Sequence, residues 1–305
     1  MKTLVLIPHY NHPAAIARVA QTMHGFGLDV LIVDDGSREE CKPVLQALVS
    51  DGIHILYRPI NGGKGAAVKT GLKYAEEHGF SHVLQVDADG QHHLDDTPKL
   101  LAAAEQNPEA VVCGWPQYGD DAPKARLYGR KITDFWNMLH TWSCDIKDGM
   151  CGFRLYPLAP ALSVVREETV GDRMDFDTEI LIRLYWRGIK PVWIKTPVQY
   201  AADGVSHFNA FADNVRISKM HTRLFLGMLR RRVDALFGKG RLKPYRQHAK
   251  PLGGAARTRQ PPVSRPDHAD GALSACLPDE AVHLVCGAVF LRHRAQTAPP
   301  YPAVS

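Results

Sequence analysis

No C-x-x-C pair occurs in the sequence, and its six cysteines, Cys41, Cys113, Cys144, Cys151, Cys276 and Cys286, are scattered along 305 residues. That spacing excludes a zinc ribbon and a compact disulfide scaffold, and makes a reduced, cytoplasmic setting the expectation. A charged leader with a long apolar core is also missing: Met1 to Pro8 runs straight into a short strand-like segment, so no signal peptide is expected. The longest apolar stretch of the tail, Ala281 to Leu291, contains His283 and falls well short of the roughly 20 residues a spanning helix needs. Neither a P-loop nor a G-x-G-x-x-G fingerprint is present, and no internal repeat is visible. The fifteen histidines show no metal-ligand spacing, and His92-His93 is expected to be exposed loop.

What is present suffices for a globular domain: 45% of residues are hydrophobic and 23% charged. The net charge of +5 is unevenly spread. Residues 1–215 hold 21 Lys+Arg against 27 Asp+Glu, and residues 216–305 hold 16 against 5, so the excess basicity belongs to the C-terminal third. Residues 239–305 also carry 9 of the 21 prolines, with Arg, Ala and Gly between them, which predicts a flexible, disordered tail.

Short β-branched runs alternate with helix-length segments. Thr3 to Ile7, Val30 to Val33, Ile53 to Tyr57, Val83 to Val86 and Val111 to Cys113 read as strands; Pro13 to His24, Glu39 to Val49, Gly65 to Glu77 and Asp95 to Gln106 read as helices between them. The strand runs are nearly continuous in apolar residues, as strands covered on both faces require. The expected fold class is therefore α/β, a Rossmann-like mixed and mainly parallel sheet flanked by helices. Ligands of such sheets gather at the carboxyl ends of the strands. There the sequence places Pro8-His9-Tyr10-Asn11, Asp34-Asp35-Gly36-Ser37, Asn61-Gly62-Gly63-Lys64-Gly65 and Asp87-Ala88-Asp89-Gly90-Gln91.

Asp87 and Asp89 straddle one small residue directly after a buried strand, so a turn at Gly90 can aim both carboxylates into one crevice. Hard oxygen ligands so placed suit Mg²⁺ or Mn²⁺, with Gln91 able to add a neutral oxygen. A solvated Asx turn would use the same residues. Of Asp34 and Asp35, one carboxylate can accept from a base N–H or a ribose hydroxyl while the other caps a helix or holds the loop. The segment Asn61 to Gly65 opens a helix with three glycines and Lys64, which lets backbone N–H groups and a cation approach a phosphate.

In this order and at these strand ends, the segments resemble family 2 glycosyltransferases of the GT-A fold, and within them the dolichyl-phosphate mannose synthase-like branch. Gly152-Phe153-Arg154 and Phe176-Asp177-Thr178-Glu179-Ile180-Leu181 extend the resemblance, which covers roughly residues 2–235. It implies that Pro8 and Tyr10 pack on the nucleotide base and that Asp35 hydrogen-bonds it. It also implies that Asp87, Asp89 and Gln91 form the metal set; Lys64, from the glycine-rich segment, and Ala88 are expected beside the donor. Two features depart from the branch. His9 and His12 stand where many members have other polar residues, and Tyr200 to His207 lacks the expected basic residue, although Ser206-His207 is a candidate neighbour of the acceptor.

Further along, Arg126 and Arg130, with Lys131 beside them, are spaced i,i+4 on one helix face and could clamp an anionic acceptor or the diphosphate, unless that face is merely solvated. Arg154, in an apolar context, is assigned to the same group. Asp175, Asp177 and Glu179 open a helix, where acidic residues are also favoured by the dipole. Asp177 or Glu179 is the candidate base if the acceptor is a hydroxyl. Tryptophans such as Trp136 and Trp142 are expected to pack. From Phe208 to Phe237, Phe208, Phe211, Val215, Met220, Leu224 and Met228 recur at helical intervals. Arg216, Lys219, Arg223 and Arg230-Arg231-Arg232 add charge suited to an anionic membrane, with packing against the sheet as the alternative.

The expectation is thus a catalytic domain over 1–207, a basic amphipathic segment over 208–238 that can attach to the cytoplasmic face of a membrane, and a tail over 239–305. The activity expected is metal-dependent, inverting sugar transfer from a UDP- or GDP-sugar to a lipid-linked acceptor, first polyprenyl phosphate and second a glycolipid or lipid hydroxyl. A non-catalytic nucleotide-sugar-binding module at a membrane surface is the alternative of another class. A nucleotidyltransferase would carry a Gly-rich, Arg-containing loop after strand one, which Pro8 to Pro13 lacks. Nucleic acid is not an expected partner.

Overall fold

A computed structural model describes residues 1–119, 124–198 and 210–237, with the side chains of 124–128 and 210 excepted. The elements below belong to one unit that runs to Thr141 and resumes at Asp145. Its strands are β1 (Thr3–His9), β2 (Asp29–Asp34), β3 (Ile53–Tyr57), β4 (His82–Gln85), β5 (Val111–Gln117), β6 (Arg154–Pro157) and β7 (Pro191–Pro197). Its helices are α1 (Pro13–Gly25), α2 (Lys42–Gln46), α3 (Lys64–Glu77), α4 (Thr97–Gln106), α5 (Lys124–Thr141), α6 (Leu158–Glu167), α7 (Phe176–Trp186) and α8 (Ala210–Leu236).

The strands form one seven-stranded sheet in the order β3-β2-β1-β4-β6-β5-β7. All pairs are parallel except those of β6, which runs antiparallel to β4 and β5. Period-two alternation sorts β1 between two cores: Leu4 and Leu6 face the side covered by Ala67, Val68 and Leu72 of α3 and by α7, while Val5 and Ile7 face Ile16, Val19 and Met23 of α1 and Leu100 of α4. Each of these side chains is fully buried, a contribution of roughly 1.5–3 kcal/mol for each Leu, Ile, Val and Met. The continuous apolar runs thus follow from a sheet covered on both faces.

Expected and observed elements differ in instructive places. The helix expected over Glu39 to Val49 is a 3-10 turn, Glu39–Cys41, followed by the five-residue α2. Strand β6 was not expected, because its first residue is a charged Arg154 and its run is only four residues long. β7 was hidden by prolines at both ends and by its half-exposed edge position. The helical stripe foreseen across Phe211 to Met228 separates into opposite faces. Met220, Leu224 and Met228 are buried in the core, whereas Phe211 is exposed and Val215 lies on its side.

Chain order reverses at β1, with β2 and β3 on one side and β4 on the other, so a crevice opens between the loops that follow β1 and β4. Residues 199–209, which include Ser206-His207, and the tail over 239–305 lie outside the described residues.

Candidate active site

The crevice is a cavity of about 360 Å³ whose wall includes Pro8 and Tyr10 at the end of β1, Asp35 after β2, Lys64 at the start of α3, and Asp87, Ala88, Asp89 and Gln91 after β4. These eight residues come from distant loops and were all expected at one site; the sheet topology brings them together. Asp87, Asp89 and Gln91 put three oxygen-bearing side chains on one wall. Asp89 is held by its own loop, with its Oδ1 accepting from Gln91 N at 3.0 Å.

Lys64 carries the local electrostatics. Its Nζ lies 2.6 Å from Asp87 Oδ1 and 2.7 Å from Asp177 Oδ2. Burial alone would lower the pKa of this ammonium, but the two carboxylates outweigh it and raise the value well above the usual lysine range. Asp87 moves the opposite way: burial would raise its pKa, and Lys64 and His92 together hold it far below the usual carboxylate range. Asp87 Oδ1 is buried against the ammonium. Gly152 faces this pair. A Cβ there would lie 2.5 Å from Asp87 Oδ2 and 2.6 Å from Lys64 Nζ, so only glycine leaves room.

The paired aspartates after β2 act as tethers. Asp34 is buried and lies 2.9 Å from His9 Nδ1, which pins the β1 loop; Ser37 N also donates to it. Burial would raise its pKa, yet the bonds from His9 and Ser37 hold it below the usual range. Asp35 accepts from Gly62 N at 3.0 Å, from Gly63 N at 2.6 Å and from Arg58, so in this structure its carboxylate fastens the glycine loop to the end of β2. Gly63 has φ +102°, and a Cβ there would lie 2.6 Å from Asp172 O, which accounts for a glycine just before α3.

Three expected site residues are placed elsewhere or already occupied. Glu179 does not reach the cavity: it is fully buried between Arg183 (2.7 Å) and Arg223 (2.6 Å), and accepts from Gly171 N at 2.9 Å. A carboxylate so satisfied joins α7 to α8. Arg154 is fully buried beneath the site, donating to the backbone oxygens of Asp177 and Asp148, and cannot touch an acceptor. Asp177 does line the cavity, but its two oxygens are taken by Lys64 and, at 2.9 Å, by Gln85 Nε2. Arg130 lines the cavity from α5, paired with Asp148 and lying over the Tyr118 ring. Arg126 lies on the same helix with its side chain outside the described residues.

Other site residues escaped the sequence reading. His92, expected in exposed loop, is a cavity residue; its Nε2 is 3.2 Å from Asp87 Oδ2 and its ring stacks on Phe153. Arg173 enters from the loop before α7, donating to Asn61 Oδ1 at 3.1 Å. Asp213 and Ile217 of α8 close another side. A histidine three places after Asp89 is the one available signal; the others depend on tertiary packing.

The family model for glycosyl transferase family 2 matches residues 4–160, a span that runs from β1 through β6 and contains the cavity residues from Pro8 to Gly152. The chain belongs to glycosyltransferase family 2. Among curated relatives of this family 2 chain, an uncharacterized protein of Methanocaldococcus jannaschii is 24% identical over 67% of the chain and 91% of its own length. A dolichyl-phosphate beta-glucosyltransferase of Trichomonas vaginalis is 30% identical over 59% of the chain and 58% of its own length. A polyprenol monophosphomannose synthase of Mycolicibacterium smegmatis is 28% identical, with 36% of the chain and 44% of that protein covered. The chain therefore spans about half the length of these two named transferases. The solved glucosyl-3-phosphoglycerate synthase of Mycobacterium tuberculosis superposes with a TM-score of 0.56 at 15% identity, covering 74% of the chain and 79% of that structure, and so shares its fold. Family membership and fold thus agree with the resemblance seen in the strand-end motifs.

Proposed function

We propose that this family 2 glycosyltransferase moves a sugar, with inversion, from a nucleoside-diphosphate sugar to a polyprenyl phosphate. One observation carries the reading: Asp35, Lys64, Asp87, Asp89 and Gln91, from the ends of β2 and β4 and the start of α3, meet in a single cavity. The names of the relatives, which act on dolichyl or polyprenyl phosphates, point to the same acceptor class.

Asp87, Asp89 and Gln91 would hold Mg²⁺ or Mn²⁺. The oxygen-only donor set on one wall of the cavity fits a hard cation. Such a cation, when bound, supplies Lewis-acid stabilisation of the departing diphosphate. Lys64 adds a fixed positive charge at the mouth of α3, and Gly152 keeps the space above it open to a phosphate. Pro8 and Tyr10 form the wall on which a base can rest.

The state of the acids favours a phosphate acceptor over a hydroxyl. A hydroxyl nucleophile needs a base, but Glu179 is outside the cavity and Asp177 is bound to Lys64 and Gln85. A phosphate is already ionised near neutral pH and needs none. Arg130 and Arg173 face the cavity and can orient it. On α8, Leu226, Leu229, Val233 and Leu236, with Phe237 directly after it, are exposed beside Lys219 and Arg230, which suits a peripheral position on an anionic membrane holding the lipid acceptor. Among the described residues no helix is long and apolar enough to cross a membrane.

The test is a screen of UDP- and GDP-sugars with Mg²⁺ or Mn²⁺, reading nucleotide release with polyprenyl phosphate, with a glycolipid and with neither. Release stimulated by the lipid phosphate supports the reading. Release that responds only to the glycolipid hydroxyl replaces the acceptor, and nucleotide binding without any release rejects catalysis.

A further inference from the structure

Lys64 stands where a cation ligated by Asp87 would have to be. Its ammonium is 2.6 Å from Asp87 Oδ1 and 2.7 Å from Asp177 Oδ2. Neither carboxylate is free to turn away. Asp177 is buried and its other oxygen accepts from Gln85 Nε2 at 2.9 Å; the other oxygen of Asp87 lies 3.2 Å from His92 Nε2, whose ring is wedged against Phe153. The lysine backbone is equally fixed, because it opens α3 directly after Gly63, and Ala66 N donates to Asp172 O at 2.9 Å. Above the ion pair the space is closed to any added Cβ at Gly152. The ammonium is therefore built into the site.

A carboxylate oxygen in contact with an ammonium cannot at the same time ligate a divalent ion without bringing two positive charges into near contact in a partly dry pocket. The protein offers little else to compensate. Among the described residues no group of three His, Cys, Asp or Glu side chains is clustered to cage a metal. A diphosphate changes both conditions, because its oxygens complete the shell of the ion and give the ammonium a second anionic partner. The flexible stem of lysine lets the head shift by the small distance this requires, with Asp177 keeping it inside the cavity.

We propose that Lys64 is an internal counter-ion that withholds Asp87 from free divalent cations and releases it when a nucleoside diphosphate arrives, so that cation and donor bind together. The inference rests on the reading of the cavity as a nucleoside-diphosphate site and adds an order of binding to it. Lys64 then has two opposed effects: it weakens metal binding in the empty protein and strengthens donor binding in the loaded one. Asp177 is a positioning residue that keeps the ammonium poised between those roles.

Electron paramagnetic resonance titration of Mn²⁺ into the full chain, alone and with UDP or GDP, tests this. The wild type is expected to bind Mn²⁺ at least about tenfold more tightly with one of the two nucleotides than without. Lys64→Gln should bind Mn²⁺ alone at least about tenfold more tightly than the wild type while binding the nucleotide more weakly. Metal affinity in Lys64→Gln equal to or below that of the wild type would overturn the proposal while leaving the donor site intact. Should Lys64→Gln fail to show a cooperative melt, the wild-type titration still decides, since equal Mn²⁺ affinity with and without nucleotide also overturns it. Absence of any Mn²⁺ or nucleotide binding by the wild type would remove the donor-site reading itself.

Discussion

At the scale of single residues, Gly152 shows how tightly the site is drawn. Its missing side chain is what lets Asp87 and Lys64 approach each other on the cavity wall. Gly152→Ala should push that pair apart and lower kcat/KM for the donor by about 100-fold, with a cooperative melt retained. Steady-state nucleotide release and a thermal melt check this, and unaltered turnover would mean that the loop moves aside freely. Asp87, Asp89, Lys64 and Asp35 were legible because position at a strand end is local information once alternating strands and helices are recognised. His92 was not, since what buries its ring is Phe153, brought in by the antiparallel β6. Glu179 and Arg154 misled for a related reason. Charge near a helix start or after a glycine does not reveal whether the side chain points into a cavity or into an ion pair, and both are sealed in the interior.

Among elements, α8 carries the most consequential contacts. His140 of α5 and His221 of α8 are buried, 3.0 Å apart, and stacked with Trp136. Burial lowers the pKa of His140 to about 3, with His221 adding to it, and that of His221 to about 4. Both folded values lie below the ordinary 6.5, so the unfolded chain binds more protons and stability rises with pH through this window. The pair's contribution is complete above about pH 6.5 and declines as pH falls toward 4. Urea melts at pH 7 and pH 4.5 should therefore show a smaller acid-induced loss in His221→Phe than in the wild type; identical losses would show that the pair does not titrate on unfolding. From sequence, α8 was readable as a helix but not as a two-faced one. Apolar spacing alone merges Phe211 and Val215 with Met220, Leu224 and Met228, and only packing on α5 and α7 separates the buried stripe from the exposed one.

For the molecule as a whole, the division of charge and the orientation of α8 belong together. The acidic part contains the cavity, and the basic excess begins at residue 216, on the helix whose outer face exposes Leu226, Leu229, Val233 and Leu236. Asp213 and Ile217 on the same helix line the cavity, so a surface held by the outer face would lie close to where an acceptor enters. Flotation of the full chain with vesicles of phosphatidylglycerol and phosphatidylcholine should show salt-sensitive binding. Exchanging Leu226, Leu229 and Val233 for glutamate should reduce it by about tenfold or more, and unchanged flotation of that variant would reject α8 as the attachment. Fold class and the strand-end loops followed from the sequence, because continuous apolar runs identify a doubly covered sheet. The order of the last three strands did not, because β6 joins β4 and β5 by non-local antiparallel pairing.

The most direct test is transfer of labelled sugar from a UDP- or GDP-sugar to polyprenyl phosphate by the full chain, run beside Asp89→Ala and beside a chelator. The expected result is a lipid-linked sugar whose formation falls by at least about 100-fold in the variant and under chelation. Full, chelator-insensitive turnover by Asp89→Ala would contradict the role given to the Asp87-Ala88-Asp89 loop.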